Sequence, residues 1–356
     1  SIHFGDSATG IEVDLRLLWS GGIGLVNGGT VVDVEALSRL EATNYDDTVM
    51  TGDIATDGLG DFWAPGVLLH GGDDIGVGGA LNDRFYGGLG DDQLLGGGGN
   101  DTLSGEAGDD VLRGGEGDDA LYGGTGVDDI DGGAGVDSLW IDLRVAAAGA
   151  VIDLSAVWSG GTGSVNGGVV ANVETLRMLD TTEFDDVVTI GDVSTAAIEV
   201  FFSVGVHLRG GDDTATAGAL ADVVYGGAGD DVIDGGDGDD FLAGDEGDDT
   251  LFGGDGNDTL QGGVGSNTID GGAGTDRIVI DYSGADAGIV ADLSDLWGGG
   301  TGWVNGGAIT GIEALAAFTG SAFADVVTFG EISTASIEVW FQSGVDLGAG
   351  DDTATA

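Results

Sequence analysis

The side chains with the most evident chemical role in this sequence belong to aspartates that recur every nine positions. They hold the sixth position of a unit Gly-Gly-x-Gly-x-Asp-x-apolar-x, which runs from Gly78 to Trp140 and again from Ala217 to Val279, seven units in each block. The sixth positions are Asp83, Asp92, Asp101, Asp110, Asp119, Asp128 and Asp137 in the first block and Asp222, Asp231, Asp240, Asp249, Asp258, Asn267 and Asp276 in the second. Carboxylates at so regular an interval, embedded in glycines, predict a repeated cation site rather than a solvated acidic surface.

Degenerate units extend this phase beyond the strict blocks. Asp74 and Asp213 each lie nine residues before the first strict sixth position, and Asp352 opens a further block near the last residue. We include these three aspartates among the predicted metal ligands. Another three aspartates lie three whole units further upstream, which predicts that the later half of each spacer is the same coil with looser loops. They are Asp47, Asp186 and Asp325.

The elements that must position these carboxylates are very short. A nine-residue unit cannot hold a helix-turn-helix repeat, whose period exceeds about 30 residues, but it fits a turn followed by a short strand. The glycines allow positive φ and close backbone approach in the turn. The eighth position is apolar in all fourteen units, as expected of a strand residue that points inward. Two units then make one coil, with like strands stacked about 4.8 Å apart.

Stacking of this kind places the aspartates of alternate units directly above one another, where like charges repel. Only protonation or a cation between the carboxylates offsets that repulsion, and we expect neutral pH to exclude protonation. Oxygen ligands with flexible geometry favour calcium over magnesium. Zinc and copper would lack their preferred nitrogen and sulfur ligands.

The repeated unit resembles the calcium-binding nonapeptide repeats of the RTX (repeats-in-toxin) proteins. The resemblance covers the fourteen strict units and, more loosely, most of the spacers. It implies an all-β parallel β-roll, with calcium held by sixth-position carboxylates two units apart and by turn carbonyls. It also implies type I secretion, with the signal outside this chain, and folding in calcium outside a bacterial cell. We expect on the order of five ions per block, with the sites at Asn267 and at the first turn of each block the least regular.

A longer period contains the short one. It is carried by Trp19, Trp158 and Trp297, which follow one another at equal intervals without insertions. The sequence therefore predicts an elongated β-solenoid in which β-rich spacers alternate with β-roll blocks, and the chain starts and stops where a window on a longer array would. The predicted segments are a spacer at 1–77, a block at 78–140, a spacer at 141–216, a block at 217–279 and a spacer at 280–356.

Composition excludes several classes of function. The chain has 64 acidic and 8 basic residues, a formal net charge of −56, which argues against nucleic acid as a partner. It has no cysteine, hence no disulfide, thiol nucleophile or thiolate zinc site. No apolar run is long enough to span a bilayer, and no Gly-x-Ser-x-Gly, His-Glu-x-x-His or Walker pattern occurs. We therefore expect no enzyme activity and no membrane insertion.

Recurring aromatic residues are the remaining candidates for contact with partners. The three tryptophans of the long period fit a spacer core or interface better than a sugar-stacking surface. Three adjacent aromatic pairs also recur, and in an alternating strand one member of each pair must face outward. The pairs are Phe62 with Trp63, Phe201 with Phe202, and Trp340 with Phe341.

The sequence as a whole predicts a calcium-dependent structural module of a secreted bacterial cell-surface protein, such as a surface layer, an extracellular fibre or an adhesin stalk. The expected partners are other copies of the chain, in an end-to-end or lateral array, with cell-surface polysaccharide as a further candidate. Two alternatives stay open. One is an RTX accessory region of a secreted hydrolase, epimerase or toxin, and the other is a carbohydrate-binding spacer centred on Trp19 and its equivalents.

Overall fold

Each strict nonamer folds as a turn followed by one short strand, so that two nonamers complete a coil. The computed structural model describes residues 2–3, 9–15, 24–26, 29–31, 40–52, 66–193, 199–200, 203–330 and 345–355. Within these ranges the regular structure is β, apart from two single-turn 3-10 helices at Val157–Ser159 and Leu296–Gly298. The prediction of an all-β parallel β-roll is confirmed.

The chain forms two compact units. The first comprises Ser1–Val145 and Val151–Met178, and the second comprises Ala146–Ala150 and Leu179–Ala356. In chain order the first unit contains β1 (Ile2–His3), β2 (Glu12–Asp14), β3 (Gly24–Val26), β4 (Gly29–Val31), β5 (Leu40–Glu41), β6 (Thr48–Met50), β7 (Val67–Gly71), β8 (Ile75–Val77), β9 (Arg84–Leu89), β10 (Gln93–Gly98), β11 (Thr102–Ala107), β12 (Val111–Glu116), β13 (Ala120–Thr125), β14 (Asp129–Ala134), β15 (Ser138–Asp142), β16 (Val151–Asp153), β17 (Thr162–Val165), β18 (Gly168–Ala171) and the start of β19 (Thr175–Asp180).

The second unit contains the remaining strands. After the end of β19 it contains β20 (Val187–Thr189), β21 (Glu199–Val200), β22 (Ser203–Val204), β23 (Val206–Gly210), β24 (Thr214–Thr216), β25 (Val223–Ala228), β26 (Val232–Asp234), β27 (Phe241–Glu246), β28 (Thr250–Gly256), β29 (Thr259–Gln261), β30 (Thr268–Gly274), β31 (Arg277–Asp281), β32 (Val290–Asp292), β33 (Gly302–Val304), β34 (Gly307–Thr310), β35 (Ala314–Thr319), β36 (Val326–Thr328), β37 (Val345–Asp346) and β38 (Thr353–Thr355).

Successive strands of the roll alternate between two parallel sheets. Sheet A of the first unit includes β7, β9, β11, β13 and β15, and sheet B includes β6, β8, β10, β12 and β14. Neighbouring strands pair in a register of two whole nonamers, as in the pairing of Leu94 with Leu112 and of Leu103 with Leu121. Identical positions of the nonamer therefore lie above one another, as two nonamers per coil require.

The core lies between the two sheets and consists of the eighth-position side chains. These residues pack as two facing columns of aliphatic and aromatic groups, because side chains alternate between the two faces of a strand. The buried members include Phe85, Leu94, Leu103, Leu112, Leu121 and Leu139, each 0% exposed, and their counterparts Val224, Ile233, Leu242, Leu251, Leu260 and Ile278. Burial of each such side chain stabilises the fold by about 1.5–3 kcal/mol.

Insertions distinguish the spacers from the blocks. The pairing of Thr48 with Ile75 and of Val187 with Thr214 has a register of three nonamers instead of two, so one extra nonamer leaves the coil there. A second insertion is a meander of antiparallel strands, β16–β17–β18 in the first unit and β32–β33–β34 in the second. Its last strand rejoins sheet B in parallel, β18 against β14 and β34 against β30.

No helix among the described residues is long and apolar enough to cross a membrane.

Candidate metal sites

The sixth-position aspartates lie on two edges of the roll, in the turns that join the sheets. On the A edge the turns lead into sheet A, and on the B edge they lead into sheet B. The A edge carries Asp83, Asp101, Asp119 and Asp137 in the first unit and Asp222, Asp240, Asp258 and Asp276 in the second. The B edge carries Asp74, Asp92, Asp110 and Asp128 in the first unit and Asp213, Asp231, Asp249 and Asn267 in the second. All of these side chains are buried.

One oxygen of each carboxylate joins consecutive coils. The backbone N–H of Asp92 donates to Asp110 Oδ1 at 2.8 Å, and the N–H of Asp110 donates to Asp128 Oδ1 at 3.0 Å. The same contact recurs along both edges of both units, at 2.6–3.0 Å within the blocks. Each aspartate thus caps the N–H of the aspartate one coil earlier, and the sixth positions form a continuous ladder.

The other oxygen of these carboxylates, Oδ2, is different. In most block aspartates it is shielded from solvent and finds no hydrogen-bond donor among the described residues. These aspartates include Asp74, Asp92, Asp110, Asp119, Asp137, Asp213, Asp231, Asp240, Asp249, Asp258 and Asp276. Burial of an anionic oxygen without a partner costs free energy. A bound cation would remove that cost.

A backbone carbonyl converges on the same place as Oδ2. At Gly105, a first-position glycine, an added Cβ would collide with Asp110 Oδ2 and would lie 2.6 Å from the Gly123 carbonyl oxygen. The equivalent position at Gly244 meets Asp249 Oδ2 and lies 2.7 Å from the Gly262 oxygen. Glycine is required there because the two oxygens occupy the space of a side chain. A carboxylate and carbonyls are the hard oxygen ligands that calcium takes.

The electrostatics of the ladder follow from burial and from the neighbouring carboxylates. Burial, with the charges of Asp231 and Asp186 nearby, raises the pKa of Asp213 to about 8. Burial and the neighbouring charges likewise raise the pKa of Asp110 and of Asp231 to about 7. At these three aspartates protons therefore compete with cations near neutral pH, so the expectation that neutral pH excludes protonation is wrong for this part of the metal-free ladder.

Within the described ranges, no three acidic or histidine side chains come together as a metal-binding group. Each site therefore offers at most two carboxylates, from consecutive coils, and must be completed by backbone carbonyls and water. That donor set suits calcium, which accepts six to eight oxygens in flexible geometry. The residues present fit the ion, and the individual aspartates remain predicted ligands.

Departures from the motif have visible consequences. Asn267 Oδ1 keeps the ladder contact with the Asp249 N–H, but its Nδ2 donates to the Gly263 carbonyl at 3.2 Å in place of a ligand oxygen. At the first strict unit of each block, Oδ2 accepts a backbone N–H instead, from Gly79 to Asp83 at 2.9 Å and from Gly218 to Asp222 at 3.2 Å. Asp352 is half-buried, and its Oδ1 accepts the N–H of Asp325 at 3.1 Å.

Fifth-position acids have a role that sequence reasoning missed. Asp91 and Asp109 are exposed, as expected for loop charges. Nevertheless Asp91 Oδ1 accepts the N–H of Asp109 at 2.9 Å, and Asp109 Oδ1 accepts the N–H of Val127 at 2.9 Å. This outer ladder runs in the opposite direction to the inner one, because each side chain caps the residue one coil later. Asparagine also occurs at the fifth position, as at Asn100, whose Oδ1 accepts the N–H of Asp118. An uncharged residue at this position was the sequence signal for a hydrogen-bonding role.

Two glutamates in the spacers were also missed. Glu174 Oε2 accepts the N–H of Asp137, and Glu313 Oε2 accepts the N–H of Asp276, both at 2.8 Å. Each glutamate lies 37 residues after its aspartate, which is not a whole number of nonamers. The only sequence signal was that the two glutamates recur at the long period of the tryptophans.

The recurring tryptophans lie in the spacers. Trp297 is half-buried and its indole Nε1 donates to the Phe329 carbonyl at 2.7 Å, and Trp158 is likewise half-buried. This contact indicates a role in packing the spacer. The candidate contact residues Phe62, Trp63, Phe201, Phe202, Trp340 and Phe341, together with Trp19, lie outside the described residues.

Stacked parallel coils with a buried carboxylate ladder define the fold class of this protein as a parallel β-roll. The family model of the RTX calcium-binding nonapeptide repeat matches the chain four times, at residues 70–103, 104–139, 209–242 and 243–278. The chain therefore carries RTX calcium-binding repeats, and the matches include the degenerate units of Asp74 and Asp213. A comparison with curated proteins gave no match.

Proposed function

We propose that this chain is a calcium-stabilised structural segment of a secreted bacterial protein, in which ions bound between coils hold the roll together. The observation that carries the proposal is the series of buried Oδ2 atoms without donors, most of them beside a backbone carbonyl. Calcium at these points would neutralise two superposed carboxylates at once. By the arithmetic of alternate units, each block would take on the order of five ions.

Ion binding and folding are coupled in this proposal. Without calcium, the ladder is a column of buried carboxylates that must either repel one another or take up protons. With calcium, the same carboxylates become ligands, so the free energy of binding contributes directly to the free energy of folding. A chain with this design would fold where calcium is abundant, which suits a protein that acts outside the cell.

The further role we propose is assembly into an extended surface structure, built from copies of the chain in an end-to-end or lateral array on the bacterial surface. The support is the repetition of the whole long unit without insertion, since equal units present the same outer surface at regular intervals. No catalytic role is proposed, because the conspicuous acidic side chains serve the two ladders. The contact between Trp297 and the Phe329 carbonyl favours a packing role for the spacer tryptophans over sugar stacking.

Calcium titration tests the first proposal. We expect circular dichroism to show a large gain of β structure when calcium is added to chelated protein, and a much smaller gain with magnesium at equal concentration. Strand content that does not change on chelation would contradict the proposal.

Electron microscopy of the calcium-loaded protein tests the assembly role, with ordered polymers as the expected outcome. Isolated particles would instead favour an accessory region of a secreted enzyme or toxin.

A further inference from the structure

The A edge of each block does not end where the nonamers end. Beyond Asp137 the chain leaves the roll to form the meander β16–β17–β18 and returns with Glu174. The backbone N–H groups of Glu174 and Thr175 donate to the Asp137 carbonyl at 3.1 and 3.0 Å. In an ordinary coil, the N–H of Ser138 makes the same contact with the Asp119 carbonyl at 2.8 Å. Glu174 therefore occupies the sixth-position slot of the next coil.

The core confirms this alignment. Leu176 lies two residues after Glu174, as the eighth position does after the sixth, and it is buried. The second unit repeats the arrangement, with Glu313 in the slot and Leu315 buried two residues later. The slot is filled by glutamate in both units although it lies outside the nonamer motif.

The last aspartate on this edge has an unpaired oxygen that points to a ligand. Asp137 and Asp276 are 0% exposed, and the Oδ2 of each finds no donor in the part of the chain that the structure describes. In the blocks, the corresponding oxygen lies beside a carbonyl of the turn one coil later. Here no further nonamer follows, so the partner oxygens must come from the spacer.

The spacer supplies them from its backbone. A Cβ added to Gly132 would lie 2.6 Å from Asp137 Oδ2 and would collide with the Asn172 carbonyl oxygen. A Cβ added to Gly271 would lie 2.9 Å from Asp276 Oδ2 and would collide with the Gly311 carbonyl oxygen. The residue that provides the carbonyl differs between the units, as expected if only its backbone oxygen matters.

We propose that each unit has an additional calcium site at this junction, formed by Asp137, the Asn172 carbonyl and Glu174 in the first unit and by Asp276, the Gly311 carbonyl and Glu313 in the second. Each site combines two carboxylates with a backbone oxygen. Both glutamates are exposed, which leaves room for water to complete the six to eight oxygens of calcium. The ion would fasten the returning spacer to the end of the block.

The B edge provides the contrast. Its last sixth-position residue is Asp128 in the first unit and Asn267 in the second. Gly168 and Gly307, at the start of β18 and β34, lie against the backbone of these residues, where an added Cβ would collide with their carbonyl oxygens. Glycine takes the next slot on that edge in both units. In the second unit the last sixth-position residue, Asn267, is itself an amide. In both units, therefore, two successive carboxylates stand at the end of the A edge, whereas the B edge ends without such a pair.

The test rests on the proposed calcium-dependent role and measures the number of bound ions. E174Q/E313Q keeps an oxygen that can accept the aspartate N–H but removes the charge, so the fold should be retained. We expect about two fewer calcium ions per chain by mass spectrometry of metal in dialysed protein, one for each site, with unchanged circular dichroism in saturating calcium. The matched control E116Q/E246Q alters two exposed glutamates of the blocks and should bind as many ions as the parent.

A second variant removes the aspartate charges of the same two junction sites. D137N/D276N should lose at least the same two ions, because each aspartate also belongs to the predicted site one coil earlier. Combining it with E174Q/E313Q should remove no more ions than D137N/D276N alone. Equal ion numbers in E174Q/E313Q and the parent would overturn the junction sites while leaving the proposed function intact. Loss of β structure in E174Q/E313Q would also overturn them, since the glutamates would then act through the fold. A parent protein that binds no calcium would instead refute the proposed function itself.

Discussion

Block and spacer use the same aspartate ladder but satisfy it differently. In the block, Asp110 gives one oxygen to the ladder and leaves Oδ2 without a donor among the described residues. In the spacer, Asp186 makes the same ladder contact, with the Ala150 N–H, but Thr182 donates its hydroxyl to Oδ1 at 2.9 Å and its N–H to Oδ2 at 3.0 Å. One carboxylate position can therefore be completed by a cation or by a neighbouring hydroxyl residue.

A hydroxyl residue that donates to the spacer aspartate recurs in every spacer. Thr43 donates to Asp47 as Thr182 does to Asp186, and Ser321 donates to Asp325 with its hydroxyl at 2.7 Å and its N–H at 2.9 Å. In each case the donor lies four residues before the aspartate, at the second position of the nonamer, where the motif has glycine. Glycine offers no hydroxyl. The hydroxyl is an added donor to Oδ1, whereas Oδ2 of Asp186 and of Asp325 accepts the backbone N–H of the same second-position residue. In most block aspartates no such N–H reaches Oδ2.

The largest expected effect is regional loss of protection when calcium is removed. Hydrogen exchange measured by mass spectrometry should accelerate roughly 100-fold or more across 83–139 and 222–278 after chelation, because the blocks lose their bound calcium ions. The segments around Thr43 to Asp47 and Thr182 to Asp186 should change much less. Equal acceleration in blocks and spacers would show that the two kinds of ladder site do not differ in their need for metal.

Removal of one carboxylate charge should have different effects in block and spacer. D110N should destabilise the calcium-loaded protein by about 1–3 kcal/mol, through a lost ligand, yet be neutral or stabilising in chelator, where it relieves repulsion. D186N should destabilise by a similar amount in both conditions, since it disrupts the contacts of Thr182. Chemical unfolding of both variants with and without calcium measures this. A calcium-dependent effect of D186N would break the distinction.

The raised pKa values predict opposite pH responses with and without metal. The pKa of Asp110 rises from 3.8 to about 7 and that of Asp213 from 3.8 to about 8, chiefly through burial. The folded, metal-free ladder therefore binds protons more tightly than the unfolded chain. Its stabilising contribution is fully present below pH 3.8 and is lost as the pH rises through about 7 to 8. Chelated protein should melt at a higher temperature at pH 5 than at pH 8.

Calcium should reverse that order, because it binds the deprotonated carboxylates and must displace the protons. In saturating calcium we expect melting at a higher temperature at pH 8 than at pH 5. The same pH dependence with and without calcium would mean that the titrating carboxylates are not the ligands.

The smallest expected effect concerns a single hydroxyl. T182V removes the hydroxyl donor to Asp186 and keeps the backbone donor, so we expect a loss of about 1 kcal/mol in the free energy of unfolding, the same with and without calcium. T189V, at a partly exposed position of the neighbouring strand β20, is the matched control for the loss of a hydroxyl. A calcium-dependent effect of T182V would indicate that the spacer carboxylate is also a ligand.

Sequence periodicity predicts the parts of this fold that repeat. The nine-residue spacing gives the turn-strand unit, the apolar eighth position gives the core, and the aspartates mark the two edges. The spacing of three whole nonamers between Asp47 and Asp74 was also readable, since an insertion of nine residues preserves the phase. These features follow from local backbone geometry that is the same in every unit.

The rest depends on contacts that have no fixed spacing. Glu174 was not predicted because the meander inserted before it changes the phase and the residue type changes with it. The outer ladder of Asp91 and Asp109 was not predicted because an exposed acid looks the same whether or not it accepts a hydrogen bond. The role of Thr182 depends on a backbone conformation at the second position that only the folded chain reveals.

The opposed directions of the two ladders bear on how such a protein can grow. In each turn, the N–H of Asp91 is capped from the coil before it by Asp73, and the N–H of Asp92 is capped from the coil after it by Asp110. A new pair of nonamers placed anywhere in the interior would therefore receive both caps and supply both in return. Gene duplication in steps of one coil can extend such a chain without redesigning its neighbours, and only the first and last turns require specialised residues.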